Sequence, residues 1–278
     1  MRARRSRPST RRSGSSARTS RRSTCRRSAT QTSSARRSWE PPALNRSLES
    51  RVAVVTGGTG ALGQAVTLRF LAEGAAVAVP YAVEREREQL WERVAQADRG
   101  RLVTEAVDAT SLPAMTAFAE RVVKARGRLD VLVAGVGGFA GGALVETDEA
   151  TWTRMLHLNL TSAFASARAV VPHMLGAGYG RVVVVASRAV VPPQGGFIAY
   201  TVAKAGAIAL VQALAQETRS RGVTVNAVLP STMDTEANRA AMPDSDRKGW
   251  VPVDAVADAI AMLVRPASAH VTGTLLAI

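Results

Sequence analysis

Cysteine is nearly absent from this chain: its 278 residues include one, Cys25. A single cysteine excludes an internal disulfide framework and is typical of a protein from a reducing compartment. Long apolar runs are absent too, because no uninterrupted stretch approaches the roughly 18 residues of a membrane-spanning helix. We therefore expect a cytoplasmic protein with no membrane segment.

Histidine is also scarce, and its positions do not suggest a metal site. His157, His173 and His270 lie far apart and lack the spacing of metal ligands. The G-x-S-x-G motif of serine hydrolases is missing as well. These absences predict a protein with no bound metal and no serine-hydrolase chemistry.

The excess of positive charge is confined to the first part of the chain. Residues 1–50 hold 14 arginines and two glutamates, whereas residues 51–278 hold 22 basic and 20 acidic side chains. We interpret residues 1–48 as a disordered tail, because an Arg/Ser-rich stretch cannot bury enough apolar surface to offset chain entropy. Three explanations stay open: a start-site artefact, a mitochondrial transit peptide, or a basic tail. No nucleic-acid partner is expected beyond non-specific contacts of this tail.

Strand-like and helix-like segments alternate about seven times from residue 51 onward. The strand-like segments, such as "RVAVVT" and "RVVVVAS", are continuously apolar, as in a parallel sheet covered on both faces. We predict a single α/β domain over 49–278, with a Rossmann-like, doubly wound parallel sheet of about seven strands. Residues 148–178 are predicted to form one long helix that Pro172 disturbs near its end.

Three glycines follow the first predicted strand at regular spacing. In "VVTGGTGALG", Gly57, Gly60 and Gly63 stand where the strand meets a helix. Glycine lets the backbone turn tightly and approach a pyrophosphate, and the free N–H groups of a helix N-terminus favour an anion. Because ligands of doubly wound sheets lie beyond the carboxyl ends of the strands, we predict nucleotide binding here.

The end of the second predicted strand bears on the choice between NAD and NADP. An acid there would accept a hydrogen bond from the ribose 2′-OH of NAD. The corresponding position is Tyr81, and Arg85 and Arg87 follow it. Since arginine pairs well with phosphate, this pattern favours NADP.

A lysine is kept close to a tyrosine in a chain that otherwise uses arginine. Of three lysines against 33 arginines, Lys204 follows Tyr200 by four residues, so the two share a helix face. A nearby ammonium lowers the tyrosine pKa from its usual value of about 10, which favours proton exchange with a substrate near neutral pH. Arginine's planar fork would place its charge differently.

With these motifs placed, residues 50–278 resemble the short-chain dehydrogenase/reductase superfamily. The matches stand in the family's order: "TGGTGALG", "VDAT" with Asp108, "LNL" with Asn159, Ser187 after a strand, "YTVAK" and "NAVLP". The family's Asn-Asn-Ala-Gly after the fourth strand is replaced by "VAGVGG". Some segments, such as "GGFAGG" and "TGTLLAI", resemble dihydropteridine reductases.

The resemblance implies an NAD(P)-dependent oxidoreductase that interconverts a carbonyl and a secondary alcohol of a small molecule. It implies that Tyr200 is the acid/base, that Lys204 tunes it and holds the ribose, and that Ser187 binds the substrate oxygen. Asn159 would distort its helix and support a proton relay. The implied cofactor-binding residues are Gly57, Thr59, Gly60, Ala61, Leu62, Gly63, Asp108, Ala109, Ala134, Tyr200, Lys204 and Thr235. The family also implies a homodimer or homotetramer.

Two alternatives stay open at this point. A pterin-type C=N reductase would fit the segments shared with dihydropteridine reductases. A non-catalytic protein that senses dinucleotides would keep the glycine loop but would not need the serine, tyrosine and lysine.

Overall fold

The structure, a computed structural model, describes residues 47–278. The strands in this part of the chain are β1 (Val52–Thr56), β2 (Ala76–Tyr81), β3 (Leu102–Ala106), β4 (Val131–Ala134), β5 (Gly180–Val185), β6 (Val223–Leu229), β7 (Met233–Asp234), β8 (Val251–Pro252) and β9 (Leu275–Ala277). The α-helices are α1 (Ala61–Ala72), α2 (Glu84–Arg93), α3 (Leu112–Arg126), α4 (Glu149–Leu156), α5 (Ser162–Ala177), α6 (Ile198–Thr218), α7 (Glu236–Ala241) and α8 (Val253–Val264).

Seven of these strands form one parallel sheet, in the order β3-β2-β1-β4-β5-β6-β9. The chain winds outward from β1 in one direction and then, from β4 onward, in the other. This is a doubly wound α/β fold, so the predicted fold class is confirmed. The short strands β7 and β8 pair with each other in a separate two-stranded sheet, which the sequence did not predict.

The two faces of the sheet are covered by separate apolar cores. In β1, Val52 and Val54 belong to the core shared with α3, α5 and α6, whereas Ala53 and Val55 belong to the core shared with α1 and α8. Side chains of a strand point alternately to opposite faces. A strand buried on both faces is therefore continuously apolar, which explains the pattern of the sequence.

The predicted long helix forms, and it is distorted at Asn159, as the family resemblance implies. Helix α4 continues through a π-helical turn, His157–Thr161, into α5. Helix α5 then passes through Pro172 and ends at Ala177, where Gly178 adopts φ 65°. The helix is not broken at Pro172, because buried neighbours such as Met174 hold this part of the helix against the sheet despite the lost backbone hydrogen bond.

The body of the protein begins earlier than the sequence predicts. Leu48 is fully buried, and its N–H donates to the carbonyl of Glu73 at 3.1 Å. The tail boundary at residue 48 is therefore wrong for residues 47 and 48, because Leu48 packs into the core that contains Phe70 and Leu71. The rest of the predicted tail, residues 1–46, lies outside the described residues.

Helix α6 is long and apolar enough to cross a membrane by length and composition alone, and it is the one such helix within residues 47–278. However, Ala207, Ile208 and Val211 of this helix pack in the core beside the sheet. The apolar character of α6 is thus accounted for by its central place in the folded domain.

Candidate active site

The candidate site lies beyond the carboxyl ends of β1, β4 and β5. Thr56, the last residue of β1, is in register with Ala134 of β4, and Ala134 is in register with Val184 of β5. The glycine loop follows β1 directly, and Ser187 comes two residues after the end of β5. Because the strands are parallel, these segments meet at one edge of the sheet.

Two glycines of the loop are required by close backbone packing. Gly57 has φ +70°, and a Cβ atom there would lie 2.8 Å from the carbonyl group of Gly135. A Cβ atom on Gly63 would lie 1.9 Å from the carbonyl oxygen of Gly57. The loop is therefore folded tightly on itself and against the segment after β4.

The start of α1 fits an anionic ligand. Gly60 is the N-cap residue and supplies no side-chain cap, and the first turn, which contains Ala61 and Leu62, has no acidic residue. The N–H groups of this turn are therefore free of competing side-chain acceptors. A Cβ atom on Gly60 would meet no atom closer than 3.5 Å, so a ligand can approach the backbone here. These features fit the pyrophosphate of a dinucleotide.

Some residues near the end of β2 form hydrogen bonds or ion pairs with other side chains, and Arg85 forms no ion pair within residues 47–278. The Thr59 hydroxyl donates to Glu86 Oε2 at 2.9 Å, which ties the glycine loop to α2. Arg87 forms an ion pair with Glu84, and its guanidinium lies 5.8 Å from the ring centroid of Tyr81. Arg85 is exposed and forms no ion pair within residues 47–278.

Two of the remaining predicted cofactor residues, Asp108 and Thr235, have clear local roles. The Asp108 carboxylate accepts hydrogen bonds from the hydroxyl and the N–H of Thr110, at 2.7 Å and 2.8 Å, and these bonds lower the pKa of Asp108. Ala109 beside it is buried. The Thr235 hydroxyl caps α7 by accepting from the N–H of Asn238 at 3.2 Å, so its oxygen is partly engaged.

Tyr200 and Ser187 meet at the start of α6. Tyr200 lies in the first turn of this helix, and its side chain is hydrogen bonded to that of Ser187. Ser187 is only 8 % exposed, and its Oγ also accepts from the N–H of Ala189 at 3.2 Å. The sheet edge thus brings a phenol and a hydroxyl together in one place.

The pKa of Tyr200 departs from the sequence-based expectation. Burial raises it above its usual value, and the hydrogen bond with Ser187 opposes that increase. The expected lowering by Lys204 is wrong for the protein's own groups, because desolvation of the phenolate outweighs the groups that stabilise it.

Lys204 is buried one turn further along α6. Its Nζ atom donates to the carbonyl oxygen of Val185, the last residue of β5, at 2.7 Å. Burial lowers the pKa of Lys204 to about 8, so the ammonium is still the major form at pH 7. Helix α6 and strand β5 are thereby joined at the site.

Asn159 is buried in the π-helical turn and holds the segment after β4. Its Nδ2 atom donates to the carbonyls of Gly138 and Met155, both at 3.0 Å, and its Oδ1 atom accepts from the N–H of Gly138 at 3.2 Å. A Cβ atom on Gly137 would lie 2.8 Å from Asn159 Oδ1 and 3.3 Å from Lys204 Nζ. The π-helical turn and the Gly137–Gly138 pair therefore fit together.

Sequence reasoning missed several groups at this edge. It did not identify the Val185 carbonyl as the acceptor for Lys204, nor Gly138 as the partner of Asn159. It also missed Phe139 and Phe197, whose rings contact Tyr200. The sequence signal that could have drawn attention to this segment was the replacement of Asn-Asn-Ala-Gly by "VAGVGG", because it shows that the segment after β4 departs from the family's pattern.

Comparison with known proteins agrees with this geometry. The model of the short chain dehydrogenase family matches residues 51–246. The chain belongs to the short-chain dehydrogenase family. Its relatives in this family act as oxidoreductases, and the protein is accordingly an oxidoreductase of CH–OH and C=O groups.

Individual relatives of this short-chain dehydrogenase cover most of its length. The dehydrogenase subunit for (2S)-((R)-hydroxy(phenyl)methyl)succinyl-CoA from Thauera aromatica is 36 % identical over 190 residues, which are 68 % of this chain and 75 % of the relative. The 3-oxoacyl-(acyl-carrier-protein) reductase of Escherichia coli is 29 % identical over 81 % of this chain and 94 % of its own. A crystal structure of a short-chain dehydrogenase/reductase from Burkholderia xenovorans superposes with a TM-score of 0.78, at 28 % identity, over 84 % of this chain and 96 % of that one.

Proposed function

We propose that this short-chain dehydrogenase interconverts a carbonyl and a secondary alcohol with Tyr200 as the acid/base. The observation that carries the proposal is that three side chains meet at the sheet edge that also holds the glycine loop: Tyr200 lies beside Ser187, and Lys204 Nζ binds the Val185 carbonyl two residues before Ser187. A bound nicotinamide supplies or accepts the hydride. The residues of the chain have to bind the substrate oxygen and move its proton.

Tyr200 and Ser187 divide this work. In the reducing direction, the Tyr200 hydroxyl donates its proton to the carbonyl oxygen as negative charge develops there. The Ser187 hydroxyl donates a hydrogen bond to the same oxygen and stabilises that charge. In the oxidising direction, the Tyr200 phenolate takes the alcohol proton. The reducing direction uses the protonated phenol, which is the form that burial of Tyr200 favours by raising its pKa.

Lys204 and Asn159 support this pair. We propose that the Lys204 ammonium, fixed by the Val185 carbonyl, stabilises the phenolate after proton transfer and binds the ribose. Asn159 is a positioning residue: its side chain fixes the Gly138 backbone, and the preceding residue, Gly137, lies close to Lys204 Nζ. The intact set of serine, tyrosine and lysine favours an enzyme over a non-catalytic sensor of dinucleotides.

Ser187→Ala is expected to shift the pH dependence of alcohol oxidation to higher pH. The hydrogen bond with Ser187 lowers the pKa of Tyr200, so its removal leaves the effect of burial unopposed and raises that pKa. Oxidation requires the phenolate, so its rate should rise only at more alkaline pH. The measurement is kcat/KM for oxidation across the alkaline range. Ser187→Thr keeps the hydroxyl and should retain the wild-type profile; an unchanged profile in Ser187→Ala would contradict the assignment.

The substrate class is proposed from the relatives. One relative acts on an acyl group carried by coenzyme A and another on a 3-oxoacyl group carried by acyl carrier protein. We infer that this protein reduces the 3-oxo group of an acyl thioester. The pterin-type C=N reductase remains the competing possibility that the substrate experiment decides.

NADP is the proposed cofactor. Arg85 is exposed and forms no ion pair in the part of the chain that the structure describes, so it is free to meet a 2′-phosphate. Arg87 is engaged by Glu84. Glu86 is the feature that favours NAD over NADP, because its carboxylate contacts the glycine loop and could accept a hydrogen bond from the ribose 2′-OH of NAD.

Reduction of a 3-oxobutanoyl thioester is expected to proceed faster with NADPH than with NADH. Arg85 provides a partner for the phosphate that distinguishes the two cofactors. The measurement is the initial rate of dinucleotide oxidation with this ester, and with a quinonoid dihydropterin in parallel. Equal rates or a preference for NADH would contradict the NADP assignment. Turnover of the pterin alone would establish the C=N reductase.

A homodimer or homotetramer and a cytoplasmic location complete the proposal. Trp152 of α4, Phe164 of α5 and Val202 of α6 are 36 %, 47 % and 39 % exposed, which supports a contact between copies through these helices. The single cysteine supports a reducing compartment.

A further inference from the structure

Three aromatic rings meet where the segment after β4 approaches the start of α6. The Phe139 and Phe197 ring centroids lie 5.1 Å and 6.1 Å from that of Tyr200 and 5.7 Å from each other. We call Phe139, Phe197 and Tyr200 the aromatic cluster. Their rings are tilted or edge-to-face, which is an arrangement that aromatic pairs favour. Phe139 is nevertheless 64 % exposed, so the cluster presents ring surface to solvent beside the proposed acid/base.

The position of Phe139 is fixed by the backbone on both sides. Before it, Gly138 is held by the Asn159 side chain through its N–H and its carbonyl. After it, the N–H of Gly142 donates to the carbonyl of Gly196 at 2.8 Å, and the Gly142 carbonyl accepts from the N–H of Ile198 at 3.3 Å. The exposed ring is therefore set in place by two anchors rather than carried on a free loop.

The two segments that bear the phenylalanines lack charge. Residues 135–145 and 189–199 contain no Asp, Glu, Lys, Arg or His. A charged substituent on the substrate would lose its hydration against these segments without gaining a partner. An apolar substituent would cover the exposed ring surface.

We propose that Phe139 and Phe197 bind an aryl group attached to the reacting carbonyl or carbinol carbon of the substrate. The proposal rests on the function proposed above, since it places the reacting oxygen at Tyr200. A flat aryl ring can add edge-to-face contacts with rings already arranged in that way, whereas a linear chain gains only apolar contact area. The protein would accordingly act on aryl ketones and benzylic alcohols.

The test compares two thioesters of N-acetylcysteamine that differ at the reacting carbonyl. One is the 3-oxo-3-phenylpropanoyl ester and the other is the 3-oxobutanoyl ester. For the wild-type protein, kcat/KM for the phenyl ester is expected to exceed that for the methyl ester by at least about tenfold, the scale of apolar pocket selectivity. Phe139→Ala should lower this ratio by roughly tenfold, whereas Phe139→Tyr should retain it.

A matched control separates the ring from general loop effects. Leu144→Ala removes a side chain that is 73 % exposed, two residues beyond the Gly142 anchor, and should keep the wild-type ratio. Because Phe139 is exposed, Phe139→Ala is expected to fold, which its melting temperature checks.

The outcomes distinguish this inference from the proposed function. Turnover of the methyl ester without a phenyl preference, or a ratio that Phe139→Ala leaves unchanged, overturns the aryl assignment alone. A 3-oxodecanoyl ester preferred over the phenyl ester would assign the cluster to an aliphatic chain and overturn it too. Turnover of none of the esters with either dinucleotide contradicts both the proposed function and the aryl assignment.

Discussion

Tyr200→Phe is expected to lower kcat by about 10²–10⁴-fold, the usual contribution of a positioned general acid. The substitution removes the proton donor but keeps the ring that packs against Phe139 and Phe197. The glycine loop is untouched, so dinucleotide affinity should stay close to that of the wild type. The measurements are single-turnover reduction rates and dinucleotide binding followed by fluorescence.

Tyr179→Phe is the matched control for this loss. Tyr179 precedes β5, at the opposite edge of the sheet from the site, and the guanidinium carbons of Arg51 and Arg181 lie 4.0 Å and 4.3 Å from its ring centroid. This variant should turn over at the wild-type rate. Wild-type turnover by Tyr200→Phe would refute the assignment of the acid/base, and loss of dinucleotide binding together with a lower melting temperature would show that the substitution acts through the fold instead.

Gly63→Ala is expected to destabilise the protein severely and to abolish dinucleotide binding. The added Cβ would lie 1.9 Å from the carbonyl oxygen of Gly57 and 2.6 Å from Gly58 Cα, and neither backbone atom can move without displacing α1 from β1. Overpacking against fixed neighbours typically costs about 1–3 kcal/mol and more where the backbone has to shift. The midpoint of denaturant unfolding measures the effect.

Gly60→Ala, in the same loop, separates an effect on dinucleotide binding from an effect on stability. Gly60 has φ −74°, and its Cβ would meet the Gly57 carbonyl oxygen at an ordinary 3.5 Å. Stability should therefore stay at the wild-type level, while dinucleotide binding weakens because the methyl group projects where the pyrophosphate approaches. Wild-type stability in Gly63→Ala would contradict the packing described for the loop. Unchanged binding in Gly60→Ala would place the pyrophosphate elsewhere.

Much of the fold follows from patterns that act locally. Strands buried on both faces must be apolar throughout, and the alternation of such strands with helices leaves few topologies open. Helix α5 continues through Pro172 because packing of the surrounding helix against the sheet outweighs the local effect of the proline. The start of the body was misjudged because one apolar residue, Leu48, gives no periodic signal by itself.

The candidate site likewise has features that the sequence predicts and features that only the structure shows. Residue type and spacing indicated the glycine loop, Tyr200 and Lys204, since each belongs to a motif of a few neighbouring residues, whereas Ser187 was implied by the family resemblance. The direction of the Tyr200 pKa shift could not be predicted in this way, because it depends on how deeply the phenol is buried and on what reaches it.

The sequence by itself determined the alternation of strands and helices, the glycine loop and the placement of Tyr200 and Lys204 one turn apart on one helix, since these depend on spacing along the chain. Only the tertiary structure decided that Lys204 binds the Val185 carbonyl, that Asn159 holds Gly138, and that two phenylalanines stand beside Tyr200. The physical reason is that such contacts join residues far apart in the chain. Their geometry is set by sheet register and helix packing, which no local pattern encodes.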